Sequence, residues 1–116
     1  MSDVYPSVDF FTDQTIAASG NATSVNTLET GYLRMLDIYV GNAGTSTDCT
    51  ITIKGSPTKE KALEKTVWIF NEGAGGKDGI GIEKIDIPEY IWAVVTNSDT
   101  TKTAIITVKV VLYKYL

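Results

Sequence analysis

Apolar and polar residues alternate along this chain in short stretches, with turn-forming residues between them. Leu36, Ile38 and Val40 alternate with Asp37 and Tyr39, and Cys49, Ile51 and Ile53 alternate with Thr50 and Thr52. A period of two is that of a β-strand, whose successive side chains face opposite ways. The pattern predicts strands over Val8 to Ala17, Thr23 to Thr27, Tyr32 to Gly41, Asp48 to Gly55, Thr66 to Asn71, Ile80 to Ile87, Tyr90 to Asn97 and Ala104 to Tyr115. Within Ile80 to Ile87 the parity changes, Ile80 and Ile82 against Ile85 and Ile87, which predicts a bulge near Glu83 and Lys84. Ser56 and Pro57 have the chemistry of a helix start, so Thr58 to Lys65 is the single helix candidate, two turns at most.

Short strands at this spacing, joined by polar turns, predict an all-β fold: an antiparallel β-sandwich, jelly-roll-like, of about eight strands with little or no helix. No helix-length periodic segment separates the strands, which excludes parallel βαβ units. Composition agrees, since 38 residues are Ile, Val or Thr against 14 Leu and Ala, and branched Cβ atoms pack best on a pleated surface. With 116 residues the chain holds one core. The expected division is an N-terminal arm over 1–10 and a single sandwich domain over 11–116.

Chemistry is sparse. There is no His and one Cys, which removes most catalytic and zinc-binding constellations. Cys49 shares its parity with Ile51 and Ile53 and is expected in the core. The net charge of −4, with Lys scattered and Arg34 alone, argues against nucleic acid and against a membrane surface. The loop Gly73 to Gly79 resembles a phosphate cradle only superficially, because Asp78 follows Lys77 and a strand follows the loop. Asp48, Asp78, Asp86 and Asp99 fall in or beside loops that could bring oxygen ligands to Ca²⁺, but without the spacing of a known calcium loop. No carboxylate pair is marked by an apolar setting. The expectation is no enzyme, no cofactor and no metal.

The aromatic residues carry more. Tyr90 to Asn97 and Ala104 to Tyr115 are apolar on both faces, whereas the outer face of a lone sandwich is normally polar. An outer face of this kind is expected to meet another subunit. At the N-terminus, Tyr5-Pro6 and Phe10-Phe11 suggest an arm that orders on binding, and if the segment is evenly extended only one of the two Phe can face the core. The partner-binding candidates are therefore Tyr5, Phe10, Phe11, Tyr90, Trp92, Tyr113 and Tyr115, with Trp68 or Trp92 as the stacking platform should the chain be a carbohydrate-binding module.

Several segments in order resemble those of small phage virion proteins, the β-sandwich proteins that decorate capsids or sit on heads and tails. The carrying stretches are Gln14 to Gly20, Tyr32 to Val40, Thr50 to Ser56, Ile87 to Val94, and Ser98 to Thr101 leading into Thr107 to Val110. The segment Ser56 to Lys65 is longer and more charged than the short Gly-Ser turn usual there. The resemblance implies a structural protein without catalytic residues: a capsid decoration protein, made in the host cytoplasm and located in the virion. Its expected partners are itself, as a homo-oligomer with a trimer favoured, and the major capsid protein or other virion proteins. A tail, fibre or filament subunit built by strand addition is the alternative, and a carbohydrate-binding sandwich the next.

Overall fold

The computed structural model describes residues 7–31 and 33–114. Nine strands form: β1 (Ser7–Ile16), β2 (Asn21–Thr23), β3 (Leu28–Glu29), β4 (Leu33–Asn42), β5 (Cys49–Ser56), β6 (Lys65–Asn71), β7 (Lys77–Glu83), β8 (Tyr90–Asn97) and β9 (Ala104–Lys114). They make two antiparallel sheets, β1-β9-β4-β7 and β2-β8-β5-β6, with β3 also pairing with β8 on the edge that β2 occupies. The pairings are nested. The first strand pairs with the last, β2 and β3 with β8, β4 with β7, and β5 with β6. The chain is thus one long double ribbon, turned back at the β5–β6 connection and wrapped over itself. That is the jelly roll.

Alternation places the core between the sheets. Leu36, Ile38 and Val40 of β4, Ile51 and Ile53 of β5, Ile91, Ala93 and Val95 of β8, and Ile106, Val108 and Val110 of β9 point inward and are buried. Cys49 joins them, as its parity predicts. Burial, with Asp48 beside it, pushes the thiol up to about 11, so it stays protonated and inert at neutral pH.

Three local expectations are corrected. Phe10 and Phe11 both enter the core, at 5% and 7% exposure. Asp9 opposes Lys109 while Phe11 opposes Val108, so Phe10 is an extra residue in the ladder. A bulge of this kind places two successive side chains on one side. The parity change after Ile82 is no bulge: β7 ends at Glu83, and a 3-10 turn over Lys84–Asp86 exposes Ile85 before Ile87 returns to the core. The helix candidate Thr58 to Lys65 forms turns as far as Glu64, with Lys61 and Leu63 at positive φ, and Lys65 opens β6. The Ser56 hydroxyl donates to the Ala62 carbonyl and accepts from the Thr58 backbone, closing the loop on itself. As for the expected arm, Ser7 to Phe10 belong to β1, and residues 1–6 lie outside the described residues.

The two ends of the sandwich are tied differently. At one end, Asn97 Nδ2 donates to the carbonyls of Ile16, Ala17 and Lys102 at 3.0–3.2 Å, and its Oδ1 accepts from Ser46 Oγ at 2.7 Å. Asn42 Nδ2 donates to the Glu72 carbonyl at 3.2 Å, and its Oδ1 accepts from the backbone of Gly44 and Ile105. Two buried amides thereby join four connections, each satisfying backbone groups that no ladder reaches. At the opposite end, Lys84 Nζ donates to Thr30 Oγ1 at 2.9 Å and pairs with Glu89 at 3.2 Å.

Candidate functional site

A sandwich has four free sheet edges, and an unpaired edge is a template for another chain unless something blunts it. Here the edges are β1, β7, the β2–β3 pair and β6. Two register shifts interrupt β1, which carries Asp9 and Asp13, the latter at φ 44°. β7 carries Lys77, Asp78 and Glu83. The β2–β3 edge is broken into pieces of three and two residues. β6 has one register shift, at Val67, and over Trp68 to Asn71 it has neither a charged residue nor a break. Trp68 is 44% exposed and Ile69 51%.

The placement of these two residues follows from register. Ile69 opposes Thr52 and faces out from its sheet. Trp68 opposes Ile53, an inward position, but no strand of its own sheet lies beyond β6. The indole therefore sits in the open seam between β6 and β7, in a groove of about 370 Å³ shared with Val67, Ile80 and Ile82. A half-buried indole beside branched aliphatics has the make-up of an interface anchor.

The partner candidates read from the sequence scatter. Phe10 and Phe11 are core residues of the monomer. Trp92 faces the outer side of its sheet, as its parity requires, but is 1% exposed. The β5–β6 connection lies over it, with Lys61 Nζ 5.0 Å from the ring centroid. The apolar outer face of β8 is thus covered here by the chain itself. Tyr90, at the start of β8, is half-buried. Tyr113 is half-buried on the outer face of the other sheet, where its hydroxyl donates to Asp37 Oδ2 at 2.7 Å. Tyr5 and Tyr115 lie outside the described residues. Trp68 entered the sequence reading only as a sugar platform, and Ile69 not at all. The available signal was Trp68-Ile69-Phe70, three large apolar residues in succession, at least one of which must face away from the core.

The loop carboxylates do not converge. Asp86 precedes β8 and Asp99 follows it, at opposite ends of the sandwich. Asp99 works as a clamp. Its Oδ2 accepts from the Thr47 backbone and hydroxyl, and its Oδ1 from the Thr101 and Lys102 backbones. These bonds, Thr47's first, hold the carboxyl far below the usual range for Asp. Glu72, just after β6, is buried at 7% exposure, and its Oε1 has no partner among the described residues. Desolvation first, then the charge of Asp78, raises its pKa.

Fold and edge together define the class: a jelly-roll sandwich whose β6 edge is apolar and uncharged over Trp68 to Phe70. No protein-family model matches the chain, and no curated protein matches it in sequence. Solved structures do share the fold. The PBSX exported protein XepA superposes with a TM-score of 0.71 at 10% identity, over 96% of this chain and 38% of its own, so the chain spans well under half of XepA. A structure described as Bacillus endospore appendages, a novel family of disulfide-linked pili, matches with a TM-score of 0.63 at 9% identity, over 100% of this chain and 93% of that one. PirA matches with a TM-score of 0.57 at 12% identity, over 92% and 93%. At these identities the likeness is one of fold.

Proposed function

We propose that this protein is a structural subunit of a virion-associated or extracellular assembly, which joins its neighbours through the open β6 edge. It performs no catalysis in this reading. The observation that carries it is the exposure of Trp68 and Ile69 on an edge with no charged residue beside them. A chain laid against that edge gains ladder hydrogen bonds, and the Trp68 seam gives the contact its specificity. Fold likeness to an exported protein and to a pilus structure supports the setting. The finer proposal is capsid decoration, as a homo-oligomer, a trimer first, on the major capsid protein. Many modest contacts on a lattice add to firm attachment.

The open edge favours a second reading, a filament subunit. An edge that pairs with a different surface of the next copy makes a head-to-tail contact, which closes into a ring or runs on as a fibre. The disulfide linkage named for the pili has no counterpart at Cys49, which is buried.

Sedimentation and negative-stain microscopy across a range of concentrations test both readings. Ile69→Lys places a charge on the edge and Trp68→Ala empties the seam. A closed trimer in the wild type that both substitutions dissolve supports decoration, and concentration-dependent fibres support the filament. If wild type and both variants are identical in solution and attach equally to purified particles, the edge is not the joining surface.

A further inference from the structure

The outer face of the β1-β9-β4-β7 sheet holds a second feature, unrelated to the β6 edge. It is a trough of about 720 Å³ that crosses the sheet beside Tyr39. Ligand pockets commonly span roughly 300–1,000 Å³. Tyr39 opposes Gly79 of β7, and a methyl group at Gly79 would stand 3.2 Å from Tyr39 Cδ1 and 3.5 Å from Cε1. The ring thus lies across the glycine. Its hydroxyl donates to Asp37 Oδ2 at 3.4 Å, and the same oxygen is fixed by Tyr113. A ring laid down in this way, at 48% exposure, offers one face outward.

Polar groups stand around it in opposite signs. Lys77 and Lys109 line the trough with Asp13, and Asp9 stands beside Lys109, so these four charges cancel. Lys109 pairs with Asp9 at 3.9 Å across the neighbouring strands. The Lys77 side chain makes no hydrogen bond or ion pair among the described residues. Asp13 Oδ1 accepts from Thr107 Oγ1 at 3.2 Å, and its other oxygen accepts no hydrogen bond among the described residues. The backbone of β4 is already paired on both sides, with β7 and β9, so no peptide can add to it as a strand.

From this we infer that the trough is a binding site for a neutral saccharide. A pyranose has an apolar face of C–H groups that stacks on an aromatic ring, and a rim of hydroxyls that both donate and accept. The trough supplies the matching set: the open face of Tyr39, a carboxylate acceptor at Asp13, and ammonium donors at Lys77 and Lys109. A phosphorylated or acidic ligand would meet as much negative as positive charge and is disfavoured. This places sugar recognition on the face of one sheet. It is distinct from the Trp68 seam, and it makes the subunit able to touch a glycan surface while its β6 edge is engaged.

The test is a titration of the intact, isotopically labelled protein with maltohexaose, cellohexaose, chitohexaose and mannohexaose, read by amide chemical shifts, with inorganic phosphate and hyaluronan as charged controls. At least one neutral hexasaccharide is expected to shift Gly41, Lys77, Gly79 and Thr107 selectively. Tyr39→Ala is expected to weaken binding at least about tenfold. Tyr39→Phe keeps the ring and should bind within about threefold of wild type. Lys77→Ala, on an edge strand and free of partners, should weaken binding without touching the fold. Trp68→Ala should leave the titration unchanged, so failure of the edge proposal and failure of this one are separable. No shift with any of the four neutral sugars, stronger shifts with the charged controls, or binding indifferent to both Tyr39→Ala and Lys77→Ala would each overturn the inference.

Discussion

β1 and β6 are both edge strands, both carry adjacent large apolar residues, and they treat them oppositely. β1 inserts an extra residue so that Phe10 and Phe11 both turn inward, and it exposes Asp9, Thr12 and Asp13. β6 turns only Phe70 fully inward and leaves Trp68 and Ile69 at the surface. The first strand is finished by its own fold and the second is not. β6 too carries an extra residue, Val67, so the difference lies in the apolar surface that it leaves uncovered.

The largest expected effect probes the finished edge. Phe10→Ala and Phe11→Ala should each destabilise the monomer by about 3–5 kcal/mol, as buried Phe truncations do, whereas Trp68→Ala should cost under about 1.5 kcal/mol in the same urea titration. Equal losses at all three positions would erase the contrast. Next comes the anchor of β1. Asn97 bonds the Ile16 and Ala17 carbonyls at the end of that strand, so Asn97→Ala should cost about 2–3 kcal/mol. Amide exchange should then quicken first at the Ala17 to Gly20 turn.

A smaller effect lies at the end of β6. The raised pKa of Glu72 means that the folded state holds this proton more tightly than the unfolded chain does. Its contribution is complete below the unfolded pKa and is lost as pH rises through the folded one. Glu72→Gln should therefore stabilise the protein at neutral pH, by about 1 kcal/mol, and show no gain in acid. Asp99 has the opposite sign. Its carboxyl is depressed, so its clamp is intact above the ordinary Asp pKa and fails only in strong acid. Melting temperatures of Asp99→Asn and wild type should differ at neutral pH and converge as pH falls.

Strand positions were legible because one sheet face is buried, and burial writes a period of two into Leu36, Ile38 and Val40 or into Ile51 and Ile53. The side each residue faces was legible too. Trp92 points outward, as its parity with Tyr90 and Val94 requires. What covers it was not legible, because the β5–β6 connection that folds over Trp92 has no periodicity of its own. The bulge at Phe10 was hidden for a related reason: its partner is β9, at the far end of the chain, and a local window holds no information on that register. By alternation with Ile38 and Val40, Tyr39 is an ordinary outward residue of a strand. Its flat seat depends on Gly79 across the ladder, and the spacing Gly79-Ile80-Gly81 is the sequence sign of an outer face left open for a neighbour's ring.

The nested pairing has a consequence in time as well as in space. Among the described residues β1 has a single ladder partner, β9, so the first strand of the fold cannot be placed until the last has been made. Synthesis at roughly 5–20 residues per second leaves β1, with Phe10 and Phe11, unpaired for several seconds while the rest of the ribbon emerges. Closing such distant pairs is slow even for the complete chain, in the range of milliseconds to seconds. The β5–β6 turn, the most local contact in the jelly roll, is the natural place for the ribbon to start, and closure should proceed outward from it, with β1 docking last. Refolding followed by hydrogen-exchange pulse labelling should therefore protect Ile51, Ile53 and Phe70 before Phe11 and Ile16.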